Sequence, residues 1–306
     1  MNIPFNRETF SELIKKSLSG ANITLSFDNV QSSLIKKAVD FSKMIGANTY
    51  NKICEWFEDI NDENIIHKNI LSFLQNSMIN FAVGEHLIFL ITRIGNDGVT
   101  VKKNDDETTI YKYQQDQLNN TLINLGWFWY NTLITYMNEN IDVFPEWKNS
   151  DERKILNELP IGIDDFNRWI GVDNYYFLSK TQWIIREVWD DQIKARFKNG
   201  EVSENYMQIV IRAVCYRVMA LACVRLPYSD LPESIRIDID NEQSKSLKNE
   251  ENERIRERLS KQFDEKSNRY FGALDIKISE DKQSNNYSNQ VYKSGQISEL
   301  DKFTII

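Results

Sequence analysis

YMQIVIRAVCYRVMALACV, residues 206–224, contains Gln208, Arg212 and Arg217 as its only strongly polar side chains. Apolar residues at almost every helical position predict a helix buried on nearly all sides. Ser203 precedes the run as a candidate cap, and Pro227 and Pro232 follow it as breakers. The two arginines interrupt the stretch, so a core helix fits it better than a membrane span. A chain of 306 residues organised around such a helix needs other helices to enclose it.

Those helices are legible upstream. From Glu63 to about Phe89, the residues Ile66, Ile70, Phe73, Leu74, Met78, Phe81 and Ala82 form one apolar stripe. Between Gln114 and Met137, Leu118, Leu122, Leu125, Trp129, Leu133 and Tyr136 step by three and four. The cluster Trp127-Phe128-Trp129-Tyr130 puts aromatic bulk on more than one face, as a core contact combined with a subunit contact would. Between these two helices, Gly95-Asn96-Asp97-Gly98 separates Ile91 and Ile94 from Val99 and Val101, which predicts a β-hairpin. Shorter helices are expected at the N-terminus: Asn6 caps one, Asp28 caps another, and Gly46 ends the second. Further on, Ser150 starts a short helix, Asp164 caps Asp165–Ile170, and Asn174 or Ser179 begins a helix through Phe197 that Asn199-Gly200 closes.

The composition changes after Leu226. IRIDID, residues 235–240, is too short and too charged for a core strand. Asn249 to Tyr270 reads as a charged helix with pairs such as Glu257/Lys261, and with a stripe of Ile255, Leu259 and Phe263 that is narrow for a core element. From Ala273 onward the chain is rich in Ser, Asn, Gln and Lys, with Tyr287, Tyr292 and Phe303 as scattered anchors. The expected architecture is mainly all-α: a multi-helix bundle with one protruding β-hairpin and an extended C-terminal arm. Its expected parts are an N-terminal segment over 1–62, a helical core over 63–226 with the hairpin near 91–101, and an arm over 227–306 holding the helix 249–271 and the tail. The six residues Ile255, Leu259, Phe263, Tyr287, Tyr292 and Phe303 are the expected partner-binding set.

Chemistry is sparsely encoded. The chain lacks the glycine loops GxxxxGK[ST] and GxGxxG that let backbone amides approach phosphates. Its two histidines, His67 and His86, sit in one helix without an HExxH pattern, so no catalytic, cofactor or metal residues are assigned. The carboxylate pairs at Asp105/Asp106, Asp164/Asp165 and Asp190/Asp191 are explained by loop solvation, helix capping and a solvated helix face. Cys54, Cys215 and Cys223 do not form a disulfide framework and imply synthesis in a reducing cytoplasm. The N-terminus has no apolar signal segment. A net charge of −8 speaks against a protein that coats nucleic acid, because counterion release needs clustered cations.

The order of elements over Ser77–Arg225 resembles an uncharacterised family of tailed phages and prophages that is related to head–tail connector proteins. The stretches that carry the likeness are ITRIGNDGVTVKK, QLNNTLINLGWFWYNTLITYM, FPEWKNS, FNRWIGV, YYFLSKTQWIIREVWDDQI and RAVCYRVMALACV. The resemblance implies a virion structural protein: a neck-adaptor ring of twelve copies that docks on the portal protein, contacts other neck or tail proteins, and passes packaged DNA through its lumen without sequence-specific binding. It brings no catalytic residues and no membrane. Two other classes fit the residues less well. One is a helical binding or adaptor module of a cell; the other is an enzyme whose site would be a deep polar pocket joining His67 or His86 to carboxylates.

Overall fold

The computed structural model describes residues 2–17, 25–59, 63–95, 98–101, 112–197, 201–243 and 249–295, and these are overwhelmingly helical. Three helices open the chain: α1 (Arg7–Ser17), α2 (Phe27–Ile45) and α3 (Ala47–Glu58). Asn6 caps α1 as expected, its side chain accepting from the Thr9 amide at 2.8 Å. Asp28 does not cap α2; the helix already begins at Phe27, with Ser26 at the cap position. Gly46 joins α2 to α3 at φ +89°, a conformation L side chains rarely adopt.

Next come α4 (Ile65–Ile91) and α5 (Lys112–Glu139), packed antiparallel. β1 (Thr92–Gly95) continues directly from α4 and pairs antiparallel with β2 (Gly98–Val101), Ile94 opposite Val99. The expected turn residues Asn96 and Asp97, and the acidic stretch Asn104–Glu107, lie outside the described residues.

Small elements follow: α6 (Pro145–Lys148), which meets α3, α7 (Asp151–Asn157), which meets α2 and α9, and α8 (Ile163–Ile170), which meets α10. Ser150 caps α7 by accepting from the Arg153 amide. α8 starts one residue beyond Gly162, and Asp165 accepts from the Gly162 amide at 3.0 Å instead of Asp164 acting as the cap. α9 (Tyr175–Val188) is capped by Asn174 and passes into a π turn, Trp189–Ile193. α10 (Glu204–Arg225) is the helix quoted at the outset.

Among the described residues α10 is the one helix long and apolar enough to cross a membrane, yet its apolar side chains serve the protein core. Val210, Ala213, Val214, Cys215, Val218, Met219, Ala222 and Cys223 are all fully buried. One side packs on α8 and α9, the other on α12.

The C-terminal third departs from expectation. IRIDID is part of a helix, α11 (Glu233–Gln243), with Ile235 and Ile239 buried and Ile237 exposed. The charged helix, α12, spans Asn249–Gly295 and does not stop near residue 271. Its stripe is not too narrow for a core. Ile255 and Leu259 are 4% and 5% exposed and are joined by Phe271 at 3% and Leu274 at 0%. A single apolar cluster connects Phe5 to Leu274, across the expected boundaries at 62 and 226.

Candidate functional site: helix faces and a buried polar seam

Two helix pairs carry the features most able to meet a partner. At the α4–α5 pair, Phe81 of α4 and Tyr130 of α5 pack with Phe41 of α2 and Tyr176 of α9 as an aromatic core. The Phe81 ring stacks on Tyr176 at 4.9 Å, and Tyr130 meets Tyr176 edge-on at 5.5 Å. Stacked and edge-on pairs are the favoured arrangements of ring quadrupoles. The sequence cluster 127–130 splits across this pair. Trp127 and Tyr130 face inward at 7% and 0% exposure, whereas Phe128 is 56% exposed and Trp129 half-buried. Trp129 stacks on Phe73 of α4 at 5.8 Å, and Phe73 meets Tyr136 edge-on. Phe128 extends this outward aromatic face, meeting Trp129 edge-on at 5.1 Å, and Leu118 is a further exposed apolar side chain on α5.

Behind it runs a buried polar seam. Arg236 of α11 is fully buried. Its guanidinium donates to the Leu231 carbonyl at 2.6 Å, to Asn120 at 3.0 Å and to Asn124. Asn120 and Tyr228 both donate to Asp240 at 2.6 Å, and Asn124 donates to Glu233 at 2.5 Å. Two carboxylates, Asp240 and Glu233, lie one hydrogen-bonded residue away from the single Arg236 cation, and nearby negative charge of this kind offsets the cost of burying an arginine. Burial, followed by the nearby Asp240 carboxylate, raises the Tyr228 phenol well above its ordinary range. A second centre lies at Tyr176, whose hydroxyl donates to Asp230 at 2.8 Å while Lys180 approaches Asp230 at 3.7 Å. Burial first, and the Asp230 charge second, push the Tyr176 phenol well above its usual value. A neutral buried phenol donating to a carboxylate is a structural tie; the sequence gives no sign of it because its members lie 54 residues apart.

In the α10–α12 pair, three α12 side chains donate to main-chain carbonyls of α10, and Arg217 and Tyr206 of α10 donate to α12 side chains. Arg256 donates to the Cys223 carbonyl at 2.6 Å and to that of Leu226, satisfying the open end of α10 with a cation. Ser267 donates to the Ala213 carbonyl at 2.9 Å, and Lys277 to the Asn205 carbonyl at 2.8 Å. Arg217 pairs with Asp264, and the Arg212 guanidinium lies between the rings of Trp169 and Tyr270 at 4.0 and 4.6 Å.

The expected partner residues are therefore divided. Ile255 and Leu259 are occupied within their own chain, and Phe263 is half-buried beside Tyr216. The backbones of Tyr287 and Tyr292 belong to α12, but their side chains, and all of Phe303, lie outside the described residues. The aromatic set of α5 is the one the structure brings together.

A cleft of about 440 Å3 separates the start of α3 from α6 and α7, lined by Gly46, Thr49, Glu146, Asp151 and Glu152 among others, and neither histidine lines it. His67 stacks on Trp56 at 4.0 Å and hydrogen-bonds Asn64. Among the described residues no three His, Cys, Asp or Glu side chains are grouped to hold a metal ion.

No curated protein and no solved structure matches the chain. A model of a family of unknown function, DUF6712, matches residues 41–156, the stretch from the second half of α2 through the α4–α5 pair and its strands to α7.

Proposed function

We propose that the protein is a virion structural subunit of the head–tail connector type, a neck adaptor whose copies close into a ring between the capsid portal and the tail. The observation that carries this reading is the outward aromatic face of α4–α5. Phe128 is 56% exposed and meets half-buried Trp129, which stacks on half-buried Phe73. Aromatic side chains of this kind anchor protein interfaces when a partner desolvates them. In a cyclic assembly each subunit sets one face against a different face of the next, so one such patch per copy suffices. The strand pair that continues from α4 is the natural contact along the ring axis, as a projecting hairpin. An overall charge of −8 suits a lumen that repels DNA and so passes it without gripping it. The other partners of this reading are the portal protein and further neck or tail proteins.

The test replaces Phe128 and Trp129 together by Ser and counts the copies in particles reconstituted on the portal, using mass photometry. The reading expects complete rings from the natural chain and failed rings from a folded variant. Unchanged rings from the variant would remove the face from the interface. A cellular adaptor module is the second reading; it draws on α12 being satisfied within its own chain, and it expects a monomer or dimer under all conditions.

A further inference from the structure

α10 carries three arginines, and two of them hold a carboxylate: Arg217 pairs with Asp264 and Arg225 with Glu187. Arg212 holds none among the described residues. Its guanidinium carbon lies 4.0 Å from the ring centre of Trp169 on α8 and 4.6 Å from that of Tyr270 on α12. Its Nε is buried and has no hydrogen-bond partner among the described residues, and the same holds for the indole Nε1 of Trp169. Buried donors of a folded protein are hydrogen-bonded as a rule, so two orphans on stacked groups call for an acceptor. The carboxylates Asp264 of α12 and Asp165 of α8 are already engaged, the first by Arg217 and the second by the Gly162 amide.

We propose that Arg212, clamped between Trp169 and Tyr270, is a carboxylate-binding site. The rings cover both faces of the guanidinium. The side chain is half-buried, and Nε is the nitrogen that is buried without a partner, so the terminal nitrogens reach the surface. An anion therefore approaches edge-on, where the planar fork of an arginine matches the two oxygens of a carboxylate. Stacking fixes the plane of the fork before the ligand arrives, so little side-chain freedom is lost on binding. Tyr270 is held in turn by Tyr216, 5.8 Å away with ring planes 6° apart. Lys266 lies over the Tyr216 ring at 5.5 Å and brings a second cation to the same stack. A net charge of −8 repels a doubly charged phosphate more than a singly charged carboxylate. A small carboxylate in solution and an Asp or Glu side chain of a second copy offer the same chemistry. The site goes beyond the neck-adaptor reading and does not depend on a ring.

The experiment uses the natural chain, labelled with nitrogen-15 in arginine and tryptophan, because both orphan donors give NMR signals of their own. Trp169→Phe removes one of the seven indole signals and so identifies it, and Arg212→Lys does the same for the Arg212 Nε–H. Sodium acetate and, separately, sodium phosphate are titrated in against sodium chloride at constant ionic strength and neutral pH. Acetate should move the Trp169 indole and the Arg212 Nε–H together along a saturating curve, with the other indoles still, and phosphate should move them less. Arg212→Lys keeps the charge and loses the fork. It should retain the dispersed indole spectrum of a folded chain and lose the saturating shift of Trp169. A dilution series without acetate assigns the source. Signals that move with chain concentration place the carboxylate on a second copy; signals that ignore dilution and saturate with acetate assign it to a small molecule. Signals fixed in acetate and on dilution alike overturn the site, as does a linear drift of equal size in Arg212→Lys. A larger response to phosphate than to acetate overturns the carboxylate.

Discussion

The Ser77 hydroxyl donates to the carbonyl of Gly126 at 2.7 Å, tying α4 to α5 at a point where α5 has no side chain. A Cβ added at Gly126 would lie 2.8 Å from the Phe81 ring, and that ring is itself held by Phe41 and Tyr176. The crossing of the two longest core helices before α12 thus depends on a missing methyl group and one hydroxyl.

Gly126→Ala should destabilise the protein by about 1–3 kcal/mol, the usual cost of overpacking, despite the better helix propensity of alanine. Ser77→Ala should cost about 1 kcal/mol, since the carbonyl keeps its helical bond and only the extra bond is lost. Urea denaturation of both variants measures the difference. An unchanged midpoint for Gly126→Ala would show that Phe81 can move aside.

Ala220→Asp tests whether α10 is central. Ala220 is 2% exposed, so a carboxylate there would be taken out of water, and its one near cation on the helix, Arg217, is already paired with Asp264. The expected loss is about 3–5 kcal/mol, the scale of a buried unpaired charge. A normal melting temperature would contradict the position assigned to α10.

The thiols give a pH dependence with a defined sign. Burial pushes Cys54 up to about 11 and Cys223 up to about 12 from an ordinary value of 9.0. The folded state holds these protons more tightly than the unfolded chain. Stability is therefore unaffected below pH 9, falls as the unfolded thiols ionise above it, and continues falling until the folded values are reached. Because the thiolate is the reactive form, iodoacetamide at pH 8 should label the three cysteines only through unfolding. Rapid labelling of native protein by mass spectrometry would show that one of them is accessible.

Much of this fold could be read in advance because its helices repeat apolar residues strictly. The α5 series Leu122, Trp129 and Leu133 and the unbroken run of α10 needed no tertiary information. α12 was misjudged because the stripe Ile255, Leu259, Phe263 meets a polar residue at its next step. That residue, Ser267, is fully buried, and its hydroxyl bonds the Ala213 carbonyl, so the stripe continues through Phe271 and Leu274. IRIDID is rightly excluded as a core strand by its shortness and charge, but its alternation of isoleucine and charge gives no helical stripe, so the helix that buries Ile235, Arg236 and Ile239 is not legible. A buried arginine has no sequence signature, since its partners Asn120 and Asn124 lie more than a hundred residues away. The outward half of the aromatic cluster, Phe128 and Trp129, was legible as surplus bulk, but which rings turned outward depended on Gly126 setting the rotation of α5 against Phe81.

A paired substitution separates folding from assembly. Phe128→Ser with Trp129→Ser should leave the melting temperature within a few degrees, because Phe128 is already exposed and Trp129 only half-buried. Ring formation should fall at least tenfold, the effect of losing about 1.4 kcal/mol at an interface anchor. A large drop in melting temperature would reassign these side chains to the core.

The copy number of this chain in its native assembly tests the central claim most directly, and cryo-electron microscopy of that assembly measures it. A closed ring of twelve copies, seated on the portal with the α5 aromatic face between neighbours, is the predicted result. An assembly holding only one or two copies would contradict the account.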